Sequence, residues 1–204
     1  MTIKDGDKRL ELICQNILSE EGYKKIKPLV YQKKFTDSEV TFYFENRKLS
    51  SGGLAASCSI FFRYLPLTDV FGDSTHEQVH LNVPMDYIDK QAGIRKEWCY
   101  LTIQELDSFM PEISSSIKST AFEFIAKNSA FSFFKNRMES ESPSDWLTID
   151  KTTRVLMFGA CLWASGEKDK ALSYLNSTLS KLEGSLPKYT MRIESLRDRL
   201  LSLV

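Results

Sequence analysis

Residues 40–64 read VTFYFENRKLSSGGLAASCSIFFRY. Val40, Phe42 and Phe44 alternate with Thr41 and Tyr43, a Ser50-Ser51-Gly52-Gly53 turn follows, and Cys58, Ile60, Phe62 and Tyr64 resume the alternation. A period of two places each apolar set on one side of a strand, and serines followed by two glycines are turn chemistry. The stretch therefore predicts two antiparallel strands sharing one buried face. Upstream, the run from Leu29 to Phe35 predicts a third strand of the same sheet.

Outward from this hairpin the period changes. Leu10, Ile13, Cys14, Ile17 and Leu18 recur at helical spacing, and Gly22 stands where a helix stops, so the chain opens with a helix. After Pro66 a loop or short helix surrounds Val70 and Phe71, and Val79, Leu81 and Val83 alternate again before Pro84. An aromatic-rich strand is expected from about Ile94 to Ile103. Thr102 followed by Glu105 has capping-box spacing, and Leu101 with Leu106 can form the hydrophobic staple, so strand gives way to helix there. Pro111 should break or kink that helix. Beyond it Ile113, Ile117, Thr120, Phe124 and Ile125 keep helical spacing, and Phe131, Phe133 and Phe134 extend the same apolar surface.

Residues 139–145, with three serines and a proline, are the one linker-like stretch. They separate an expected α+β domain, 1–138, from a helical part, 146–204, packed on it. Three helices follow, marked by Leu156 to Trp163, by Leu172, Leu175, Leu179 and Leu182, and by Ile193, Leu196, Leu200 and Leu203, with breaks at Gly166 and Gly184. Gly159, Leu162, Gly166, Ala171, Leu172, Leu175 and Leu179 sit at the small and large positions of a tetratricopeptide hairpin, and the segment resembles one such repeat. One copy is no array, since a solenoid needs about three repeats to bury a continuous core. The expected fold class is α+β: an antiparallel sheet of about four to five strands flanked by helices, with a C-terminal helical hairpin and a final helix.

Composition narrows the function classes. In 204 residues, 42% apolar and 12% aromatic side chains suffice for a core. Basic and acidic residues number 27 each, so no net field holds the chain on nucleic acid or an anionic membrane, and it lacks the charge of an acidic decoy for a basic nuclease. Cys14, Cys58, Cys99 and Cys161 lie far apart in apolar runs and read as reduced core thiols. The N-terminal stretch is charged where a signal peptide needs an apolar run, and no run reaches the length of a membrane span, so the expected location is the cytoplasm.

One string spells out a mechanism. His76-Glu77-Gln78-Val79-His80 holds both histidines of the chain. On a helix the two rings fall one turn apart, bind one zinc ion, and leave Glu77 to polarise the metal-bound water. The flanks oppose that reading. Gly72, Asp73, Ser74 and Thr75 offer no apolar face to bury, Val79, Leu81 and Val83 continue a strand pattern, and Pro84 closes the segment. A strand puts the two histidines about 13 Å apart, beyond the reach of one ion. A third ligand would have to be a carboxylate such as Glu97 or Glu105, and Glu105 already has a capping role.

Lys24, Lys25, Lys27, Lys33 and Lys34, interleaved with Tyr23, Tyr31 and Phe35, have the composition of a single-strand nucleic-acid strip. Edge-strand lysines that block sheet-to-sheet pairing account for them as well, and Asp37, Glu39 and Glu45 neutralise much of their field. Ser51-Gly52-Gly53 lacks the spacing and the lysine of a phosphate loop. Cys99, beside Trp98 and Tyr100, reads as a structural thiol, and Trp98, Tyr100, Phe131, Phe133 and Phe134 read as core.

The opening helix ending in Glu21-Gly22-Tyr23-Lys24-Lys25 and the strand Thr41-Phe42-Tyr43-Phe44 carry a resemblance. So do Ser59-Ile60-Phe61-Phe62 running into Leu65-Pro66-Leu67 and Phe71-Gly72, the Trp98 strand leading into a capped helix, and the Phe131 to Phe134 run. Over roughly residues 8 to 137 the chain resembles a family of uncharacterised bacterial domains, one of the domains of unknown function seen among immunity and contact-dependent antagonism genes. The resemblance implies an α+β domain of a cytoplasmic bacterial protein without a known reaction, with His76 and His80 in a variable linker and strand. The expected function is a non-enzymatic protein-interaction module of the immunity or defence type, with another protein as partner. No catalytic residue, cofactor or metal is assigned, and neither a membrane nor nucleic acid is an expected partner. The alternative is a zinc-dependent hydrolase using His76, Glu77 and His80.

Overall fold

The structure, a computed structural model, describes residues 2–72, 80–85, 87–88, 97–142, 149–182 and 187–203. The chain is α+β and divides into two compact units, the first made of Met1–Phe62 and Asn82–Ser129, the second of Arg63–Leu81 and Ala130–Val204. The linker-like stretch 139–145 lies within the second unit. Among the described residues no helix is long and apolar enough to cross a membrane.

The first unit opens with α1 (Ile3–Glu20), capped by Thr2 and Asp5 in a reciprocal box, with Leu10, Ile13, Cys14, Ile17 and Leu18 buried. Four strands follow in place of the three expected up to Tyr64. They are β1 (Lys24–Lys27), β2 (Val30–Lys34), β3 (Ser38–Lys48) and β4 (Leu54–Tyr64). The extra strand is short and wholly exposed, so no apolar alternation marks it. It turns into β2 through Pro28 and Leu29, and Leu29 takes a positive φ of 60° that a side chain seldom adopts. Burial of the Leu29 side chain and the bond from the Phe44 N–H to its carbonyl, 2.9 Å, hold it there.

With β5 (Leu81–Pro84) and β6 (Trp98–Tyr100) the sheet runs β1-β2-β3-β4-β5, and β6 pairs with the start of β4 through Leu54↔Tyr100 and Ala56↔Trp98. The strand expected over 94–103 is shorter because Leu101 and Thr102 already turn toward a helix. The alternation read in β3 and β4 is borne out: Val40, Phe42, Phe44, Ile60 and Phe62 are buried.

Helix α3 (Ile103–Ser108) begins at Thr102, whose hydroxyl accepts from the Glu105 N–H, 3.2 Å. The Glu105 carboxylate accepts from the Leu101 N–H, 2.5 Å, one residue earlier than a capping box requires. Thr102→Ala is expected to cost about 1 kcal/mol, read as a lower urea midpoint at unchanged slope; an unchanged midpoint would remove the cap from the account. Pro111 sits in the first turn of α4 (Met110–Ser115), so the break falls before it, at Phe109.

A π-helical turn (Ser116–Ala121) then leads into α5 (Phe122–Asn128). Its cause is visible in the burial of Ile113, Ile117, Ala121 and Ile125, every fourth residue. In a plain α-helix each step of four overshoots the turn by about 40°, so four such residues drift off one face. The wider turn brings them back.

The second unit contains α2 (Leu65–Phe71), α6 (Phe131–Glu139), α7 (Lys151–Ala164), α8 (Lys168–Lys181) and α9 (Pro187–Ser202). A Cβ on Gly159 would stand 2.8 Å from the Leu175 side chain, so glycine is what lets α7 and α8 approach. Gly166, at φ 81°, makes the turn between them. Phe134 and Met138 enter the core, whereas Phe133, expected there, is 38% exposed with the Arg137 guanidinium 5.2 Å above its ring. Helical spacing allows only one side of α6 to face inward.

Candidate functional site

His76 and Glu77 lie outside the described residues. His80, one residue before β5, is 3% exposed. Its Nδ1 accepts the Tyr64 backbone N–H at 2.8 Å, and its ring lies 5.6 Å from that of Phe71 and 6.3 Å from that of Tyr64, which stacks on Phe134 at 4.2 Å. The Nδ1 lone pair is thus committed to backbone in an aromatic pocket.

The two carboxylates weighed as third ligands are engaged elsewhere. Glu97 accepts two bonds from Arg47, at 2.7 and 3.2 Å, and Glu105 takes the Leu101 N–H. Among the described residues no group of three or more His, Cys, Asp and Glu side chains is placed to hold a metal ion.

The lysine strip is dispersed. Lys24, Lys25 and Lys27 are exposed on β1, at the sheet edge, and Lys25 pairs with Glu11. Lys33 donates to the Glu21 carbonyl, 2.7 Å, and lies 5.5 and 5.3 Å from the Tyr23 and Phe35 rings. Tyr23 and Tyr31 are buried, and burial raises both phenols well above their ordinary value. Rings held in the core give bases nothing to stack on. Cys99, expected inside, is exposed while the other three thiols are buried. It alternates with buried Trp98 and Tyr100 on β6 and so points to the other side of the sheet.

Among the described residues, three cavities bear on function. In the first unit, about 520 Å³ lies between α1 and α4, with Leu12 and Met110 exposed at its edge and Arg9 already paired with Asp107. In the second unit, a polar cavity of about 520 Å³ is lined by Lys135, Glu167, Lys170, Ser173 and Tyr174. Hydrogen bonds from Lys135 and then Lys170 hold the Glu167 carboxyl down to about 2, against the opposing effect of burial.

A carboxyl whose folded value lies below its ordinary 4.5 contributes stability that is present above about pH 4.5 and is lost as the pH falls toward 2. The Glu167 carboxyl signal in an NMR titration is expected to shift near pH 2 and to return toward its ordinary value in Lys135→Met. A wild-type midpoint at the ordinary value would contradict the pairing.

The third cavity, also in the second unit, is a cleft of about 480 Å³ lined by Phe71 of α2, Leu156 and Met157 of α7, and Met191, Arg192, Ser195, Leu196 and Arg199 of α9. Its floor is apolar: Phe71, Leu156, Met157 and Leu196 are 5–7% exposed. Its rim differs, since Met191 is 63% exposed and Arg192, Ser195 and Arg199 face solvent. Gly72 has no Cβ to block Arg199, which a Cβ would meet at 2.6 Å. Arg199 therefore lies over the end of α2, donating Nε to the Val70 carbonyl. Those partners are uncharged, so its charge remains.

Arg192 makes no hydrogen bond or ion pair with any described residue. It interacts electrostatically with Asp150, whose carboxylate is bonded to the N–H and hydroxyl of Thr153. Those bonds leave the Asp150 charge in place, so among the described residues the rim carries Arg199 and a partly offset Arg192, whereas the cations of the other two cavities are held in ion pairs. Sequence reading found the apolar stripe Ile193, Leu196, Leu200 and missed Arg192, Ser195 and Arg199 beside it. Their i, i+3, i+7 spacing was the available signal.

No protein-family model, no curated protein and no solved structure matches the chain.

Proposed function

We propose that the protein is a non-enzymatic interaction module that binds another protein through the arginine-rimmed cleft of its second unit, in a bacterial immunity or defence setting. The observation that carries this reading is an apolar floor opening to solvent between Arg192 and Arg199, with Met191 standing at its edge. Interfaces have this anatomy: a desolvated apolar centre, a polar rim, and enrichment in methionine and arginine. Floor side chains already shaped into a pocket can accept an anchor from a partner at little reorganisation cost. The immunity setting rests on the resemblance of residues 8 to 137 alone.

The test is recovery from the native host. Wild-type protein is expected to hold a stoichiometric protein partner, and Met191→Glu, which changes an exposed side chain and leaves the core intact, is expected to lose it. A partner held equally by both forms, or no partner, contradicts the reading. For the immunity setting, co-expression with a toxin encoded beside the gene should restore growth, and failure to do so removes that part alone.

A further inference from the structure

Resting on the interaction reading, the geometry points to one class of occupant for the cleft: we infer that it takes an acidic amphipathic helix of a partner protein. Arg192 and Arg199 are seven residues apart on α9, two turns, so their Cα atoms are separated by about 10.5 Å along the helix axis. Ser195, halfway between them, is small and leaves the apolar floor of Leu156, Met157 and Leu196 accessible from the gap.

The rim thus reads positive, apolar, positive over two helical turns. A helix carrying a carboxylate, a leucine-like side chain and a second carboxylate at i, i+4 and i+7 has the complementary order at the complementary spacing. A fatty-acid-like amphiphile offers one carboxylate against two guanidinium groups, so a helix with two carboxylates is the better charge match.

Among the described residues, charge on the neighbouring faces offsets the rim only in part. At 100° per residue Glu194 falls about 160° from Arg192 on the far side of α9, Asp198 lies close to Met191 but is paired with Arg197 at 2.7 Å, and Asp150 offsets part of the Arg192 charge. Asp69, exposed in α2, lies nearest the Arg199 end, where its backbone carbonyl is 3.5 Å from Nη2. Arg199 is anchored on backbone carbonyls, so Arg192 is the guanidinium with more freedom to turn toward a partner. Guanidinium groups bind carboxylates through paired hydrogen bonds, and Met191 at the edge can adapt to the anchor.

The probe is a labelled alanine-based helical peptide with Glu at i and i+7 around Leu at i+4, titrated by anisotropy against the full chain. Saturable binding is expected, weakened at least about tenfold by Arg192→Glu and by Met191→Glu, and reduced by added salt. A peptide with Lys at both acidic positions should bind poorly to the wild type and recover on Arg192→Glu. Arg192 makes no hydrogen bond within the described fold, so its replacement is not expected to unfold the chain, whereas Arg199 also supports the end of α2.

No binding at about 1 mM peptide, affinity indifferent to Arg192→Glu, or dodecanoate competing as well as the acidic peptide would overturn the inference. Loss of the native partner in Met191→Glu without peptide binding would leave the interaction reading standing and remove only the acidic helix. A native partner unaffected by Met191→Glu would remove both.

Discussion

His80→Ala is expected to destabilise the protein by about 3 kcal/mol without altering its metal content. The imidazole is buried and accepts the Tyr64 N–H at Nδ1. Removing it leaves a backbone donor unsatisfied in an apolar pocket, which costs on the order of 1–3 kcal/mol, and opens a cavity between Tyr64 and Phe71 that adds to the loss. His80→Asn, which keeps an acceptor close to the Nδ1 position, should recover part of the deficit, while His80→Leu should fill space and leave the donor orphaned. Urea midpoints for the three variants, with zinc quantified in protein purified without chelator, make the check. A stable His80→Ala that loses near-stoichiometric zinc would restore the hydrolase reading.

The second large effect is expected at Phe42. Its ring meets Tyr23 edge-on at 5.2 Å, Phe122 edge-on at 6.1 Å and Phe44 in a stack at 6.0 Å, and Tyr23 also stacks on Phe122 at 5.9 Å. These four rings join β3, the segment after α1 and the start of α5 within the first unit. Phe42→Ala removes the ring they share, and large-to-small changes of this kind cost about 3–5 kcal/mol. Against a typical stability of about 5–15 kcal/mol that is a large share of the whole. Phe42→Leu should lose roughly half as much, because most of the volume is kept. Amide exchange should show β2, β3 and α5 losing protection together. A loss under about 1 kcal/mol for Phe42→Ala would mean that these rings do not organise the unit.

Much of the first unit was legible because one side of its sheet is buried: alternation at Val40, Phe42 and Phe44 and at Ile60 and Phe62 has a period of two only where helices cover a single face. The first helix and its stop near Gly22 were legible for a similar reason, being amphipathic and bounded. What stayed hidden depends on packing. Strand β1 buries nothing and so has no pattern, and the π turn is set by the demand that Ile113, Ile117, Ala121 and Ile125 share a face. Cys99 and Phe133 look like core by composition and are exposed because their neighbours in the strand and the helix occupy the inner positions.

The histidine string shows the opposite case. Its spacing carries a mechanism, while Val79, Leu81 and Val83 predicted a strand. His80 stands where that strand begins, with its ring nitrogen bound to backbone. The cleft was hidden for a plainer reason. Phe71, Leu156, Met157 and Arg199 come from three separated segments, and only folding brings them together. Within α9 the pair Arg192 and Arg199 was in plain view, two turns apart, but apolar periodicity draws the eye to the buried stripe beside it.

A photoreactive amino acid placed at Met191, with a control at Ile26, tests most directly whether the cleft is where a partner sits. Both side chains are exposed and apolar, Met191 at the cleft edge and Ile26 on the lysine-bearing edge strand. Irradiation in the native host is expected to give one discrete protein adduct from position 191 that Arg192→Glu abolishes, and none from position 26. An adduct from position 26 alone, or one from 191 that survives Arg192→Glu undiminished, would contradict the account.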